Sequence, residues 1–555
     1  GNTLTFSIEV EGIASGLSLD LGDGQTVASQ SIVTHAYGAA DTYTATATAT
    51  NGAYSASASV TVQVSAADTM LYVALGGSHV PPFATWANAS TTIQAAVDIA
   101  PEGATVLVSN GVYVSGGRNY PGTAHSNVVI ATNGVHIRSV NGPEVTIIGR
   151  TNQVFGRGAF LGAGSSLEGF TVRNFKSRPP GSDLDLEMSG GGIYCSGPDV
   201  YVRNCIIIGN RAETWGGGVN GGIVEDSLII SNTAGYIVAG GGGGANGSTL
   251  HRCRVAFNEA TVGKQGGGLS GSAAYDSIIE YNKATGGGAG TAFSTVERCI
   301  VRYNEGSGTH GSGSLVRNSL VHNNTGAGCS FGNIINSTVV GNQGGGVWQA
   351  NVTNSIMYGN TPSNHYALIR VRSSCTTPMP AGAIDVIVAD PMFHNAAALD
   401  FRLATNSPCI NTGTNYAGIP NTLDLDGNPR IQQEIPDMGA YEYPSYNSNG
   451  VLRAWLRSQG LPDDGSADSI DFDEDGYDSA SEWVSGSNPL ESESVFEFVN
   501  EATESDPTGA SPSLRWNYNA GRIYTISWSD SPLGNSMTWQ STDLAPGDYT
   551  VTEGV

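Results

Sequence analysis

Lysine is nearly missing from this 555-residue chain. Only Lys176, Lys264 and Lys283 occur, and no Lys or Arg precedes Arg118. With 24 Lys and Arg against 49 Asp and Glu, the formal net charge is −25. A surface that acidic is repelled by a phosphate backbone and by anionic lipid, which argues against nucleic-acid binding and membrane attachment. No run of eighteen apolar residues exists, so no segment inserts through a membrane as a helix. Cysteine is sparse and odd in number, at seven, which argues against a disulfide scaffold. Initiator Met and signal peptide are absent and the chain stops in strand-like DYTVTEGV, so a processed piece of a secreted protein is expected. Charged residues make up only 13%, whereas glycine is plentiful at 76. The glycines cluster as GGG instead of recurring every third residue, which excludes a collagen helix. The length exceeds one ordinary core and predicts several domains.

Residues 1–66 alternate polar and apolar residues (TYTATATAT, SASASVTVQV), the pattern of half-buried antiparallel strands. The segment DLGDG at Asp20 to Gly24, then His35, Tyr37, Asp41 to Tyr43 and Asn51, resembles the PKD domain, an immunoglobulin-like sandwich of surface proteins. GNTLTFSIEV looks like the second strand of that family, so the first strand is expected to be missing.

From residue 69 the pattern changes. TTIQAAVDIAPEGATVLVSNGVY reads as a short amphipathic helix, a turn and a buried strand, and resembles the cap and first rung of right-handed parallel β-helices. Repeats then follow: NCIIIGN, DSLIISN, RCRVAFN, DSIIEYN, RCIVRYN, NSLVHNN, NSTVVGN and NSIMYGN. They close on Asn210, Asn232, Asn258, Asn282, Asn304, Asn324, Asn342 and Asn360, with Asn174 expected as an earlier member. Each rung hydrogen-bonds to its neighbours, and Asn suits a left-handed turn while its amide can bond the next Asn. The interleaved GGG[ILVA] motifs resemble the repeats of polymorphic outer-membrane proteins, a family of surface adhesins. Cys205, Cys253 and Cys299 share a repeat position with serines and read as small core residues, because cysteines two rungs apart stand ~10 Å from each other. Two adjacent strand positions are both largely apolar, so one ladder should point outward and be covered by another domain or subunit.

Residues 385–443 (ADPMF, DFRLATNSPCINTG, DLDGNPRI, DMGAYEY) resemble the C-terminal region of surface β-helix proteins with variable anchors, and are expected to form last coils and a cap. Between 451 and 506 stand fifteen acidic side chains and two Arg. The sharpest motif is DFDEDGYDSASE. Asp471, Asp473 and Asp475 fall at positions one, three and five, Gly476 at six, Tyr477 at seven, Ser479 at nine and Glu482 at twelve. That spacing offers a hard cation six or more oxygens and resembles EF-hand and dockerin loops, which implies Ca2+ in a structural role. Asp424 and Asp426 of DLDGNPR read as a turn.

The early rungs carry long insertions on one edge, where Asp183, Asp185, Glu187, Arg211, Glu213, Trp215 and Tyr236 could meet as a glycan-gripping wall. No HExxH, P-loop, GxSxG or paired CxxC is present. His310 and His322, without a third ligand, do not make a metal site.

The expected architecture is mainly β. A PKD-type sandwich (1–66) precedes a right-handed parallel β-helix (69–384) with its last coils and cap (385–445). A helix with a calcium loop (446–490) and a small β-domain (491–555) follow. The expected function is extracellular and structural or adhesive at a bacterial cell surface, with head-to-tail self-association through a donated C-terminal strand, or attachment to a surface glycan or protein. The alternative is a secreted carbohydrate-active enzyme, polysaccharide lyase or glycoside hydrolase, or a non-catalytic glycan-binding protein.

Overall fold

The structure, a computed structural model, describes residues 4–8, 14–35, 37, 41–51, 54–64, 70–121, 126–177, 185–197, 199–235, 240–261, 263–415, 422–432, 435–447, 449–485 and 487–492. Beyond these it describes the strands 499–500, 513–515, 525–529, 536–540 and 549–550. The chain forms two compact units, residues 1–254 and 255–555.

In the first unit, alternating residues pair Asp41–Asn51 with Tyr54–Val64 and Gly16–Asp20 in one antiparallel sheet, while Leu4–Ser7 pairs with Ile32–His35 in another. The motif residues lock this sandwich. Asp20 accepts from the Gly22 amide (2.9 Å), His35 meets Asp23 (2.8 Å), and buried Tyr37 donates to the Leu21 carbonyl (2.9 Å) while stacking on Tyr43.

The helix Ile93–Ile99 starts at Thr92, whose hydroxyl caps the Ala95 amide. Its buried Gln94 exchanges hydrogen bonds with the backbone of Ile130, which ties the helix to a strand of the first coils. Three parallel sheets follow, built from triplets whose middle residue points inward because side chains alternate along a strand. Ile137, Leu167, Val202, Val224 and Leu250 form one inward column, and Ile148, Val172, Ile207 and Ile229 another, all fully buried.

The second unit repeats the arrangement. Val296, Val316, Ile334, Val352 and Val371 stack in one column, and Ile279, Val301, Val321, Val339 and Met357 in another. These long parallel sheets make a parallel β-helix, with the PKD-type sandwich before it. The fold is mainly β.

Two corner columns hold the coils together. The Oδ1 of Asn282 accepts from the backbone and side-chain N–H groups of Asn258, and the pattern repeats through Asn304, Asn324, Asn342 and Asn360 to Asn364. The left-handed conformation falls one residue earlier than expected, on Phe257, Tyr281 and Tyr303. Asn174 is likewise not a member of the column: it takes the left-handed corner itself, and Phe175 donates to Asn210. The GGG runs accompany Asn for a spatial reason, since a Cβ on Gly268 would stand 2.6 Å from the Gly290 carbonyl and 3.0 Å from the Asn282 amide. The Ser/Cys column is also bonded, each small side chain accepting the amide of the preceding coil, as from Cys299 to Ser319, Ser337 and Ser355.

In the later coils, the apolar ladder expected to need a cover receives one from its own chain. Phe401 packs on Leu320 and Val340, while Leu403, Cys409 and Met438 pack on Ile356 and Cys375. The segment 393–443 thus lies along the side of the later coils. Bridges from Arg372 to Ile384 and from Cys375 to Ile387 extend the coil path. Asn354 fastens the strap by exchanging hydrogen bonds with Thr414, and the Gly439 amide donates to the Asn354 carbonyl. Asp424 forms the expected turn and is buried in a knot around Arg430, whose guanidinium meets Glu442 at 2.9 Å.

Candidate functional site

Three places bring together side chains with chemistry of their own. The acidic loop comes first. Gly476, at φ 98°, lets the chain turn back so that Asp471, Asp473 and Asp475 converge, with one oxygen from each within 4.8 Å of the others. Each aspartate gives its other oxygen to the loop backbone. Asp471 accepts from Gly476 (2.9 Å), Asp473 from Asp475 (3.3 Å) and Asp475 from Tyr477 (2.8 Å). Asp471 Oδ1, Asp473 Oδ2, Asp475 Oδ2 and both Glu482 oxygens are buried with no hydrogen-bond partner. Five partnerless carboxylate oxygens would be costly unless a cation accompanies them. Burial first, then the charges of Asp473 and Asp475, raise Glu482 to about 7. Ser479 opens the helix Ser479–Ser485 and donates its hydroxyl to the Ile470 carbonyl (3.1 Å). That helix packs through Trp483 on Trp455 of the helix Arg453–Ser458, over Val451, Leu456 and Leu461. Nearby, buried Asp468 is held by the side-chain amides of Asn447 and Asn449 and needs no ion.

The second place is the insertion of the early coils. Glu213 is fully buried, 3.7 Å from Arg211 and 3.9 Å from Lys176. Burial raises its carboxyl above the usual range, against the pull of Arg211 and then Lys176. Glu187, on the short helix Asp185–Met188, is buried too. Arg157, which sequence reasoning did not single out, is fully buried and donates to the carbonyls of Leu186, Ser189 and Gly190 and to Asn127. Burial lowers it to about 9. Two residues expected in a glycan-gripping wall, Glu187 and Glu213, are buried instead. Glu187 and Glu213 face inward as counter-charges for cations that anchor the insertion, and a ligand in solvent does not reach them. Trp215 is half-exposed beside the network, and Asp183 and Tyr236 lie outside the described residues.

The third place was missed in the sequence. Along one edge of the second unit run Phe293, His310, Phe331, Trp348 and Tyr366, each ring 5.3–6.5 Å from the next. Phe293, Trp348 and Tyr366 are 51%, 41% and 68% exposed. Successive rings are tilted by 79°, 89°, 33° and 62°. Perpendicular neighbours cannot both face along the stack, so some faces turn outward. A second row, Phe257, Tyr281 and Tyr303, is stacked nearly flat at 5° and 16°, so its faces cover one another. The available signal was an approximate 18-residue spacing, blurred because Phe293 and Phe331 sit one residue after the strand position held by His310, Trp348 and Tyr366. His322 is buried against Tyr303 and Phe401, where burial and then Arg302 lower it to about 4. Among the described residues the aspartates of the acidic loop are the one cluster able to hold a metal ion.

Residues 1–64 match the family model of the PKD domain. No curated protein matches the sequence. Among solved structures, the chain is similar to pectate lyase Pel9A at 16% identity, covering 67% of this chain and 96% of that one, with a TM-score of 0.41. It is also similar to an alginate lyase from Paenibacillus sp. str. FPU-7 (15%, 53% and 96%, 0.25). A third likeness is to the tailspike protein gp49 of Acinetobacter baumannii bacteriophage Fri1, a capsular polysaccharide depolymerase (10%, 57% and 60%, 0.24). Likeness at these values says nothing of what this chain binds.

Proposed function

We propose that this is an extracellular protein that holds a polysaccharide chain along the edge marked by Phe293, His310, Phe331, Trp348 and Tyr366. The observation that carries the reading is that row of tilted rings repeating once per coil, with Phe293, Trp348 and Tyr366 exposed. Sugar rings lay their C–H faces on aromatic faces, and a coil rise of ~4.8 Å is close to the length one hexopyranose adds to an extended glycan. The net charge of −25 favours a glycan with little negative charge of its own. No helix among the described residues is long and apolar enough to cross a membrane.

The Asp471–Glu482 loop is proposed to bind calcium. Asp471, Asp473, Asp475 and Glu482 supply the partnerless oxygens, with the Tyr477 carbonyl at its usual loop position and Ser479 at the ninth. The ion would neutralise the crowded carboxylates and fix the Ser479–Ser485 helix against its neighbour.

Head-to-tail donation of the last strand has less support. Tyr549–Thr550 pairs antiparallel with Ser513–Leu514 of its own chain, and residues 551–555 lie outside the described ones.

The test is affinity electrophoresis through gels containing neutral or acidic polysaccharides, with reducing ends and unsaturated uronates assayed in parallel. Retardation by a neutral glycan without product is expected. Retardation by none would overturn the proposal, and product release would replace binding with catalysis.

A further inference from the structure

Seven cysteines are present, and all are buried as free thiols. Five of them, Cys195, Cys205, Cys253, Cys299 and Cys329, sit at inward or corner positions of the coils, where burial pushes each characterised thiol up to about 12. Cys375 and Cys409 differ. Cys375 follows Ile356 in the strand register, so it occupies the ladder covered by the 393–443 strap. Cys409 belongs to the strap itself, where its amide donates to Ser407 (3.2 Å) and its carbonyl accepts from Met438 (3.0 Å). Both are fully buried in one small core with Ile356, Leu403 and Met438. The Cys375 thiol donates to the Ala389 carbonyl (3.5 Å), and the closeness of the two thiols pulls Cys375 down and, with burial, pushes Cys409 up.

We propose that Cys375 and Cys409 form a disulfide that fastens the strap to the coils. The bond joins two side chains that the docked strap already brings into one buried core. Two S–H bonds break, one S–S bond forms, two protons leave, and the two electrons reduce an external disulfide to two thiols by thiol–disulfide exchange. Because both sulfurs are sealed in the docked structure, the exchange belongs to folding, while the strap is still open. The result is a covalent closure across 34 positions of sequence (409 − 375). It constrains the unfolded chain and keeps the cover from lifting off its ladder. The sparse and odd cysteine count concealed this pair. The two residues belong to different kinds of structure, one periodic and one not, so no repeat spacing relates them.

The test refolds the reduced chain in a buffer of oxidised and reduced glutathione. The product is then unfolded with an alkylating agent but no reductant, and its peptides are mapped by mass spectrometry. The expected result is a cross-linked Cys375–Cys409 peptide pair, with Cys195, Cys205, Cys253, Cys299 and Cys329 alkylated. Alkylation of all seven would overturn the proposal. Reductant should also lower the melting temperature of the oxidised protein by roughly 5–10 °C. C375S should remove that sensitivity and C205S should keep it. An unchanged response in C375S would count against the pair, and if C375S fails to fold, the peptide map on the natural sequence still decides. Glycan retardation is read separately, so this proposal can fail without the functional one.

Discussion

The asparagine column of the later coils and the aspartate loop at 471–482 both gather polar side chains out of water, and they differ in who completes them. In the column, each amide carries donors and acceptors, so a single residue repeated by the coil translation satisfies itself from Asn258 to Asn364. In the loop the four clustered carboxylates can only accept, the backbone engages one oxygen of each aspartate, and five oxygens are left over. Asp468 lies between these cases, a buried carboxylate made independent of any ion by the amides of Asn447 and Asn449. A neutral amide can thus be stacked without limit, whereas carboxylates need a cation or a dedicated donor.

The largest effect is expected inside the column. N304A removes the acceptor used by both N–H groups of Asn282 and the donor serving Ile279 and Asn324. Denaturant melts should show a loss of about 3–4 kcal/mol, because buried groups are left unpaired. At the end of the column, where Asn364 approaches solvent, N364A should cost roughly half as much. Equal costs would break the idea that the interior of the column is special.

Calcium should act only on the loop. At a hundred times its dissociation constant it would stabilise the 446–490 segment by about 2.7 kcal/mol, read from the fluorescence of Trp455 and Trp483. E482Q should abolish this response and D468N should retain it. A natural protein indifferent to calcium and chelator would contradict the contrast.

The strap supplies an effect confined to one window of pH, on the order of 3 kcal/mol. Asp437 accepts from the amides of Asn411 and Tyr443, yet burial raises its carboxyl from 3.8 to about 6. The folded state then holds an extra proton between those values, so stability should fall as pH rises through that window and level off above it. D437N should flatten this part of the melting profile, whatever its absolute stability. A profile as steep as that of the natural chain would show that donors cancel desolvation here.

How much of this was legible depended on whether the signal was local or periodic. The calcium loop was readable because its ligands lie within twelve residues, and the Asn and Ser/Cys columns because each coil returns a position to the same surroundings. The left-handed corners at Phe257, Tyr281 and Tyr303 were not, since the hydrogen-bonded Asn after them sets their backbone and their side chains do not report it. The anchoring of the 185–190 insertion by Arg157 was hidden because the partners lie about thirty residues apart with no repeat between them. The strap over Leu320, Val340 and Ile356 was expected only as an unnamed cover. The tilted aromatic row was hidden because its members are divided between two adjacent positions.

The same contrast between complete and incomplete stacks separates the two aromatic rows, and it supplies the most direct test of the proposed function. Dissociation constants for a retarding neutral glycan should be measured for the natural protein, W348A/Y366A and F257A/Y281A. The account predicts weakening of about tenfold or more in W348A/Y366A and near-natural affinity in F257A/Y281A, whose faces are already spent on one another. Unchanged binding in W348A/Y366A, or an equal loss in both, would contradict it.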